Sequence, residues 1–403
     1  MKNKNILISG ASIAGLTLAY WLHKHGFTPT VVERAPAPRL GGQAIDLRGT
    51  GRDVAERMGI MAQVRQAHTG ARGMVSVDSS GRRLASMSPA LFGDSGGAIA
   101  EIEILRGDLV RILYEATRDR VECIFGDSIA ELTQGEGGVT VRFEQGTTRS
   151  FDLVVGADGV HSNVRRLAFG PEAQFVRDMG AYAAIFTMRA PLELDGWELM
   201  YGIPARGGGK TAALYPLAHR SEAIAMFLFS SPSLAYDRHD IGQQKRLVAQ
   251  AFAGDGWEVP GMLAAMGAAP DFYFDRVCQV HMERWSRGRA VLLGDAGYCG
   301  SPMGGNGSSM AMVGAYVLAS ELARAGGDHA GAFARYEAEM RPFVASCQKF
   351  AQGSAGFLLP RSRAQLWMVH QLTRMVPYMP WKGLIAADYQ KTVNAIKLSD
   401  YSS

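Results

Sequence analysis

Cysteine is scarce and scattered: Cys123, Cys278, Cys299 and Cys347 are the only four in 403 residues, and no two share Cys-x-x-Cys spacing. That pattern excludes a zinc ribbon and a disulfide framework, predicts no metal site, and fits a reduced cytoplasm. No apolar run approaches the roughly 18 uninterrupted residues that a membrane helix needs. The basic start Met-Lys-Asn-Lys-Asn resembles the head of a signal peptide, but Ile6-Leu7-Ile8 is cut short by Gly10 and reads as a first strand. Lys and Arg outnumber Asp and Glu by only 42 to 38. Without a dense basic tract, nucleic acid is excluded as a partner and a preference for anionic small molecules is what remains. Neither repeats nor low-complexity tracts occur. A length of 403 residues with 47% hydrophobic content describes a globular chain of two or three pieces, expected to be a monomer.

What is present begins with a βαβ opening. Asn5-Ile-Leu-Ile-Ser9 is a short apolar strand, and Leu16, Ala19, Tyr20 and Leu22 follow at helical spacing up to a stop at Gly26. Thr30-Val-Val-Glu33 is the second strand. Between strand and helix stands Gly10-x-Ser12-x-x-Gly15. Gly10 permits the tight turn and Gly15 lets the helix approach the strand, so the helix N-terminus can face a pyrophosphate. Glu33 lies 18 residues beyond Gly15, where a carboxylate accepts from ribose hydroxyls. The turn alone could be structural; strand, helix and Glu33 in register point to a dinucleotide.

Further along, Pro36 and Pro38 lead to Gly41-Gly42 and a helix over 51–66, then a strand-and-loop excursion over 70–98 and a helix near 106–116. β-like runs at 121–133 and 138–144 precede a buried strand at 152–157. From 178 the pattern changes to longer strands, at 182–188, 198–203, 211–215 and 223–229, with Gly207-Gly208-Gly209 as a hairpin loop. A helix at 241–252 returns the chain to a strand at 290–293, and the region after 308 is helical with breaks at Pro360, Pro377 and Pro380. This organisation predicts a discontinuous nucleotide-binding domain over 1–72, 98–177 and 276–322. A sheet-rich substrate domain would comprise 73–97 and 178–275, and a C-terminal helical segment 323–403.

Two more motifs carry chemistry. Ala157-Asp158-Gly159 ends a buried strand and runs through Ser162 to Arg165; a βα turn capped by Asp158 is the plain structural alternative. Downstream, Gly288-Arg-Ala-Val-Leu-Leu-Gly294-Asp295-Ala-Gly297 is followed by Pro302-Met-Gly-Gly305-Asn-Gly307, which opens a helix. In this order the three segments resemble the single-component FAD-dependent aromatic hydroxylases. Glu33-Arg34, then Arg39, then Gly41-Gly42-Gln43-Ala44-Ile45-Asp46-Leu47, is similar to the tetracycline-inactivating flavin monooxygenases. The resemblance implies an α/β fold: a Rossmann-like FAD-binding domain with an inserted β-sheet-rich substrate domain and a C-terminal helical segment, as in para-hydroxybenzoate hydroxylase.

It also implies residue roles. Gly10, Ser12, Gly15, Glu33, Arg34, Arg106 and Asp158 would serve the dinucleotide. Arg39 would approach the phosphates of NADPH, and Asp158 would contact both FAD and the passing nicotinamide cofactor. Asp295 would accept from a ribityl hydroxyl, and the backbone at Gly305 and Gly307 would face the flavin ring. The chemistry centres on the flavin and no catalytic residue is assigned; Asp46 and Pro302, near flavin and substrate, are candidates for that role. The implied reaction takes NAD(P)H and O2 and hydroxylates an aromatic or polyketide- or antibiotic-like molecule through a hydroperoxide at flavin C4a, so no protein nucleophile is required.

Four positions depart from the family: Tyr298, Asn306, Ser309 and Gly314 stand where His, Gln, Asn and Asp are usual. A disulfide-reductase flavoprotein is excluded because Cys-x4-Cys and a second Rossmann unit are missing, and a flavin halogenase because Trp-x-Trp-x-Ile-Pro is missing. A flavin-dependent reductase of a lipid or isoprenoid, and a flavin carrier or sensor without turnover, stay open. His281 could be a base but is read first as a satisfied histidine. The Met- and aromatic-rich stretch 357–381, with Arg361, Arg363 and Arg374, could seek a membrane surface. Packing of a helix partly over the substrate cleft is the preferred reading.

Overall fold

The structure, a computed structural model, describes residues 2–39, 41–88, 102–205, 207–217, 221–379, 391 and 394–398. The residues 89–97 of the expected substrate segment, and Pro380 and Trp381, lie outside the described residues. A six-stranded sheet holds the glycine turn. In order across it run β17 (Ser286–Arg287), β18 (Ala290–Leu292), β11 (Leu153–Gly156), β1 (Asn5–Ser9), β2 (Thr28–Glu33) and β7 (Glu122–Phe125). All neighbours are parallel except the β17–β18 edge. Ile6, Leu7, Ile8, Val31, Val154, Val155 and Val291 are fully buried, as strands covered on both faces require. α1 (Ile13–Lys24) packs against both α4 (Arg106–Thr117) and α9 (Gly307–Arg324), and α9 against α10 (His329–Leu358). Antiparallel β8 (Ile129–Gln134), β9 (Val139–Phe143) and β10 (Thr148–Phe151) bridge β7 to β11.

The second sheet has seven strands: β16 (Tyr273–Val280), β12 (Val176–Arg189), β15 (Glu222–Ser230), β14 (Lys210–Pro216), β13 (Trp197–Ile203), β4 (Gly73–Val77) and β5 (Arg83–Met87). The four strands read from the sequence fall inside β12 to β15. Pairing is antiparallel except between β13 and β4. The two-residue period of a strand gives the faces different partners. From β12, Tyr182, Ala184 and Phe186 join a core with Val248 and Phe252 of α6 (Ile241–Ala251) and its surroundings and Met262 and Met266 of α7 (Val259–Ala268). Ala181 and Ala183 point the other way, to Met303 and Leu359, and Ile185 packs near Leu217 and Tyr215. That inner face looks toward the first sheet.

Two local readings change. The helix expected over 51–66 is two helices, α2 (Gly49–Arg57) and α3 (Met61–Gln66), separated at Gly59, whose φ of 76° no continuing helix can use. α7 was not foreseen, because Pro260 reads as a breaker; it sits in the first turn, where its missing N–H costs nothing. A small ladder pairs β3 (Ala44–Asp46) with β6 (Glu103–Leu105) between the two sheets. Short α5 (Asn163–Ala168) and α8 (Asp295–Tyr298) follow β11 and β18, and α11 (Arg363–Met375) ends the regular structure. Among the described residues no helix is long and apolar enough to cross a membrane.

Candidate functional site

The carboxyl ends of three adjacent parallel strands converge. β1 ends at Gly10, where φ is 110°, and a Cβ there would lie 2.4 Å from the Ala157 carbonyl oxygen at the end of β11. At Gly15 a Cβ would lie 1.9 Å from the Gly10 oxygen. Both glycines therefore leave the start of α1 bare, with the unpaired N–H groups of a helix N-terminus directed outward. Ser12 does not cap α1; its hydroxyl accepts from Arg106 Nη2 at 2.7 Å. The Glu33 carboxylate accepts from the backbone N–H of Ala11 at 2.9 Å and of Ala35 at 3.0 Å. It so braces the turn from below, and a carboxylate still has lone pairs for a ribose. Arg34 and Arg39 are exposed at the rim. Burial, and then the nearby charge of Arg39, lower the Arg106 pKa, so the two guanidiniums face one mouth.

The segment after β11 behaves as the structural alternative anticipated. Asp158 caps α5, accepting from the Ser162 hydroxyl and from the N–H groups of Asn163 at 2.8 Å and Val164 at 3.0 Å. These bonds occupy the Asp158 carboxylate with its own turn. Two residues of this segment, to which the sequence gives no individual role, do the joining. Arg165 is fully buried and donates to the Ala296 carbonyl at 2.8 Å and the Val160 carbonyl at 2.6 Å, tying this segment to the Asp295 turn. His161 sits between Glu172 and Asp275, 2.8 Å from each. Burial alone would lower its pKa; the two carboxylates outweigh that and raise it. Arg276 also pairs with Glu172, and Glu172 falls to about 2 as His161 and the surrounding arginines overcome its desolvation. The Tyr273 hydroxyl, 3.3 Å from Asp275, extends this network toward Arg106.

At the end of β18, Gly294 turns the chain at φ 63° and Asp295 opens α8. Asp295 is open to solvent, yet desolvation raises its pKa, with only the Cys299 thiol and the more distant Arg106 acting against that. Both properties belong to a carboxylate on the floor of a concave cleft. Tyr273 shares them, being 50% exposed while burial holds its hydroxyl pKa well up. The trough continues past exposed Pro302 and Gly305 to the start of α9 at Gly307. Asp46 meets it there: its carboxylate lies 3.4 Å from where a Gly305 Cβ would stand and pairs with Arg48 at 2.6 Å. Desolvation raises Asp46 despite Arg48. Behind it, Glu103 and Glu198 are buried beside each other; desolvation, then the neighbouring Glu103 charge, raises Glu198 well above the usual carboxylate range. The sequence pattern singles out neither residue.

Three of the four departures make contacts that fit together. Any Cβ at Gly314 would lie 2.1 Å from the Tyr298 hydroxyl, so the missing side chain makes room for the larger ring. Tyr298 in turn lies 3.0 Å from the Tyr336 hydroxyl, which reaches the Leu292 carbonyl at 3.1 Å. Ser309 exchanges 3.3 Å hydrogen bonds with the backbone N–H and carbonyl of Arg48, holding α9 to the loop after Asp46. Asn306 is the buried residue before α9. The helix start is thus held in place without the usual His and Asp. His281 lies apart on the surface, 3.0 Å from Gln279, as a satisfied histidine. A hollow of about 1210 Å³ lined by His68, Arg72, Asp108, Arg111 and Arg189 contains none of the residues named above as cofactor candidates. No metal-binding group of His, Cys, Asp and Glu occurs among the described residues.

A trough made of two bare helix N-termini, glycines in close contact, a guanidinium and one open, desolvated carboxylate fits an extended dinucleotide carrying phosphates at its centre. Residues 3–351 match the FAD binding domain family, and the chain belongs to that family; several of its relatives are flavin-dependent monooxygenases. It is 40% identical over 349 residues to a flavin-dependent monooxygenase of Legionella longbeachae serogroup 1 (strain NSW150), covering 87% of this chain and 88% of that protein. It is 47% identical over 343 residues to the uncharacterized protein Rv1260 of Mycobacterium tuberculosis (strain ATCC 25618 / H37Rv), covering 85% and 91%. The crystal structure of tetracycline destructase Tet(55) superposes with a TM-score of 0.84 at 37% identity, over 99% of each chain.

Proposed function

We propose that the trough holds FAD and that the protein uses NADPH and O2 to hydroxylate an aromatic or polyketide-like molecule bound against the inner face of the seven-stranded sheet. The observation carrying this reading is Asp295: open, desolvated and unmatched by a close cation, it is a poor structural residue and a good acceptor for a polyhydroxyl chain. FAD, when bound, supplies the redox chemistry that passes electrons from NADPH to O2.

The chain's own residues have distinct tasks in this proposal. Gly10 and Gly15 admit the pyrophosphate to the α1 N-terminus, with Arg106 supplying charge and Glu33 accepting from the ribose. Arg34 and Arg39 at the rim attract phosphates, and Arg39 takes those of NADPH. The α9 start at Gly305 and Gly307 places N–H dipoles where negative charge on a ring would develop, and Asp46 and Pro302 border the substrate. Met303 meets Ala181 and Leu228, and Tyr215 lies 3.6 Å from the Met226 sulfur. Such adaptable apolar surface suits a fused ring and excludes water from it. The similarity to a tetracycline destructase favours an antibiotic-like substrate. A domain division at 1–72, 98–177 and 276–322 against 73–97 and 178–275 accords with these separate tasks, with 323–403 as the covering segment.

The experiment is NADPH oxidation and O2 uptake by FAD-loaded protein, screened against phenols, quinolones and tetracyclines. Stimulation of both by one ring compound, with gain of one oxygen in the product, is expected. NADPH oxidation without O2 uptake would mark a reductase, and no stimulation by any compound would mark a carrier.

A further inference from the structure

α11 has a face that none of the described residues covers. One side packs inward: His370 is buried, Leu366 meets Gly202 of β13, and the Arg374 Nε donates to the Leu84 carbonyl of β5 at 2.6 Å. The opposite side exposes Trp367 at 64%, Met368 at 50%, Leu372 at 49% and Met375 at 55%, with Tyr378 at 87% just beyond. At 3.6 residues per turn, positions 367, 371, 364, 375, 368 and 372 fill one arc of about 140°, and Arg363 and Arg374 lie along its edge. Arg361, Arg363 and Arg374 are all exposed. The surrounding sequence has a single sign of charge. Between Glu339 and Asp388 there is no Asp or Glu, whereas Arg341, Lys349, Arg361, Arg363, Arg374 and Lys382 all occur.

We propose that this face of α11 seats on the surface of an anionic phospholipid bilayer, with Trp367, Met368, Leu372 and Met375 in the acyl boundary and the arginines at the headgroups. An apolar arc bordered by arginines, with an aromatic ring at its margin, is the pattern of an interfacial helix. The charge decides between occupants. A second copy would set the same acid-free, arginine-bordered face against itself, leaving like charges opposed and nothing to pair them. A 13-residue helix is about 20 Å long, and one side of it falls short of the roughly 800 Å² per partner that a stable protein interface buries. A bilayer needs no such area and matches the charge. Because the inward side of α11 rests on β13 and β5, seating it would bring the substrate sheet to the membrane, where apolar ring compounds concentrate.

The test is flotation of full-length, FAD-loaded protein with phosphatidylcholine vesicles, with and without phosphatidylglycerol. Binding is expected only with phosphatidylglycerol and should weaken with added salt. Leu372→Gln with Met375→Gln should reduce it by about tenfold or more. Arg363→Gln with Arg374→Gln should reduce it by about twenty-five-fold, since each basic residue near such a surface contributes about a fivefold factor. Melting temperature and flavin content, unchanged in both pairs of variants, show that the fold persists. No flotation with either vesicle, or flotation that the Leu372 and Met375 changes leave intact, overturns the proposal. A dimer in light scattering that those changes dissociate also overturns it, and assigns the face to a second copy.

Discussion

The six-stranded and seven-stranded sheets differ in where they carry their chemistry. In the first, strands are buried on both faces and the informative residues follow their carboxyl ends. Gly10, Asp158 and Asp295 come in the turns that follow β1, β11 and β18, three neighbours in the sheet. A buried parallel strand can offer a ligand little except its end. In the second sheet the informative residues belong to the strands themselves: Glu198, Tyr215, Met226 and Tyr273 occupy the inner face and alternate with a core against α6 and α7. A one-residue slip would exchange those faces. The turns that would hold the cofactor are therefore set locally, and the face proposed for the substrate is set by register.

Breaking a strand end should have the largest effect. Gly10→Ala puts a Cβ 2.4 Å from the Ala157 oxygen at a φ of 110°. We expect destabilisation of about 3 kcal/mol or more, with loss of bound flavin, read by thermal melting and absorbance. Gly314→Ala crowds the Tyr298 hydroxyl in the same half of the molecule but behind the trough. Its cost should be about 1–3 kcal/mol, and Tyr298→Phe in the same chain should recover most of it and restore flavin retention. If Tyr298→Phe gave no recovery, the mutual packing of the two departures would be the wrong account of them.

Much of the first region was legible because its signals are local. Strand, glycine turn, helix and Glu33 lie within the first 33 residues, and Gly294-Asp295 follows its strand directly. What escaped was made by pairing over long distances. Arg165 reaches Ala296, His161 reaches Asp275, and Glu198 reaches Glu103. No spacing in the chain announces these contacts. The strands of the second sheet were visible as alternating runs, but their order was not, since β4 and β5 join it through a parallel pairing with β13. The apolar face of α11 was readable as composition, while its orientation away from the cleft was not.

Smaller effects sharpen the same contrast. Arg39→Ala should raise the KM for NADPH by about tenfold, the loss of one charge-assisted phosphate contact, and leave FAD in place. Equal use of NADH and NADPH before and after the change would contradict that role. The smallest effect concerns pH and the link between the sheets at His161. Its raised pKa contributes stability that is complete below its ordinary value of 6.5 and is lost as pH rises through the raised value. The Glu172 contribution has the opposite sign: present above 4.5, it is lost as pH falls toward about 2. His161→Gln should therefore flatten the alkaline side of a stability profile from urea titrations. A variant that kept the wild-type alkaline slope would show that the histidine is not the titrating link.

The claim that the trough is built for FAD is tested most directly by Asp295→Asn, measured with and without the cofactor. Because desolvation raises the Asp295 pKa, removing its charge should leave the FAD-free protein equally stable or slightly more so. FAD binding, followed by flavin fluorescence quenching, should weaken by about 1–3 kcal/mol, the loss of a charge-assisted hydrogen bond. Unchanged FAD affinity together with a lower melting temperature of the FAD-free variant would contradict the account and make Asp295 a structural residue.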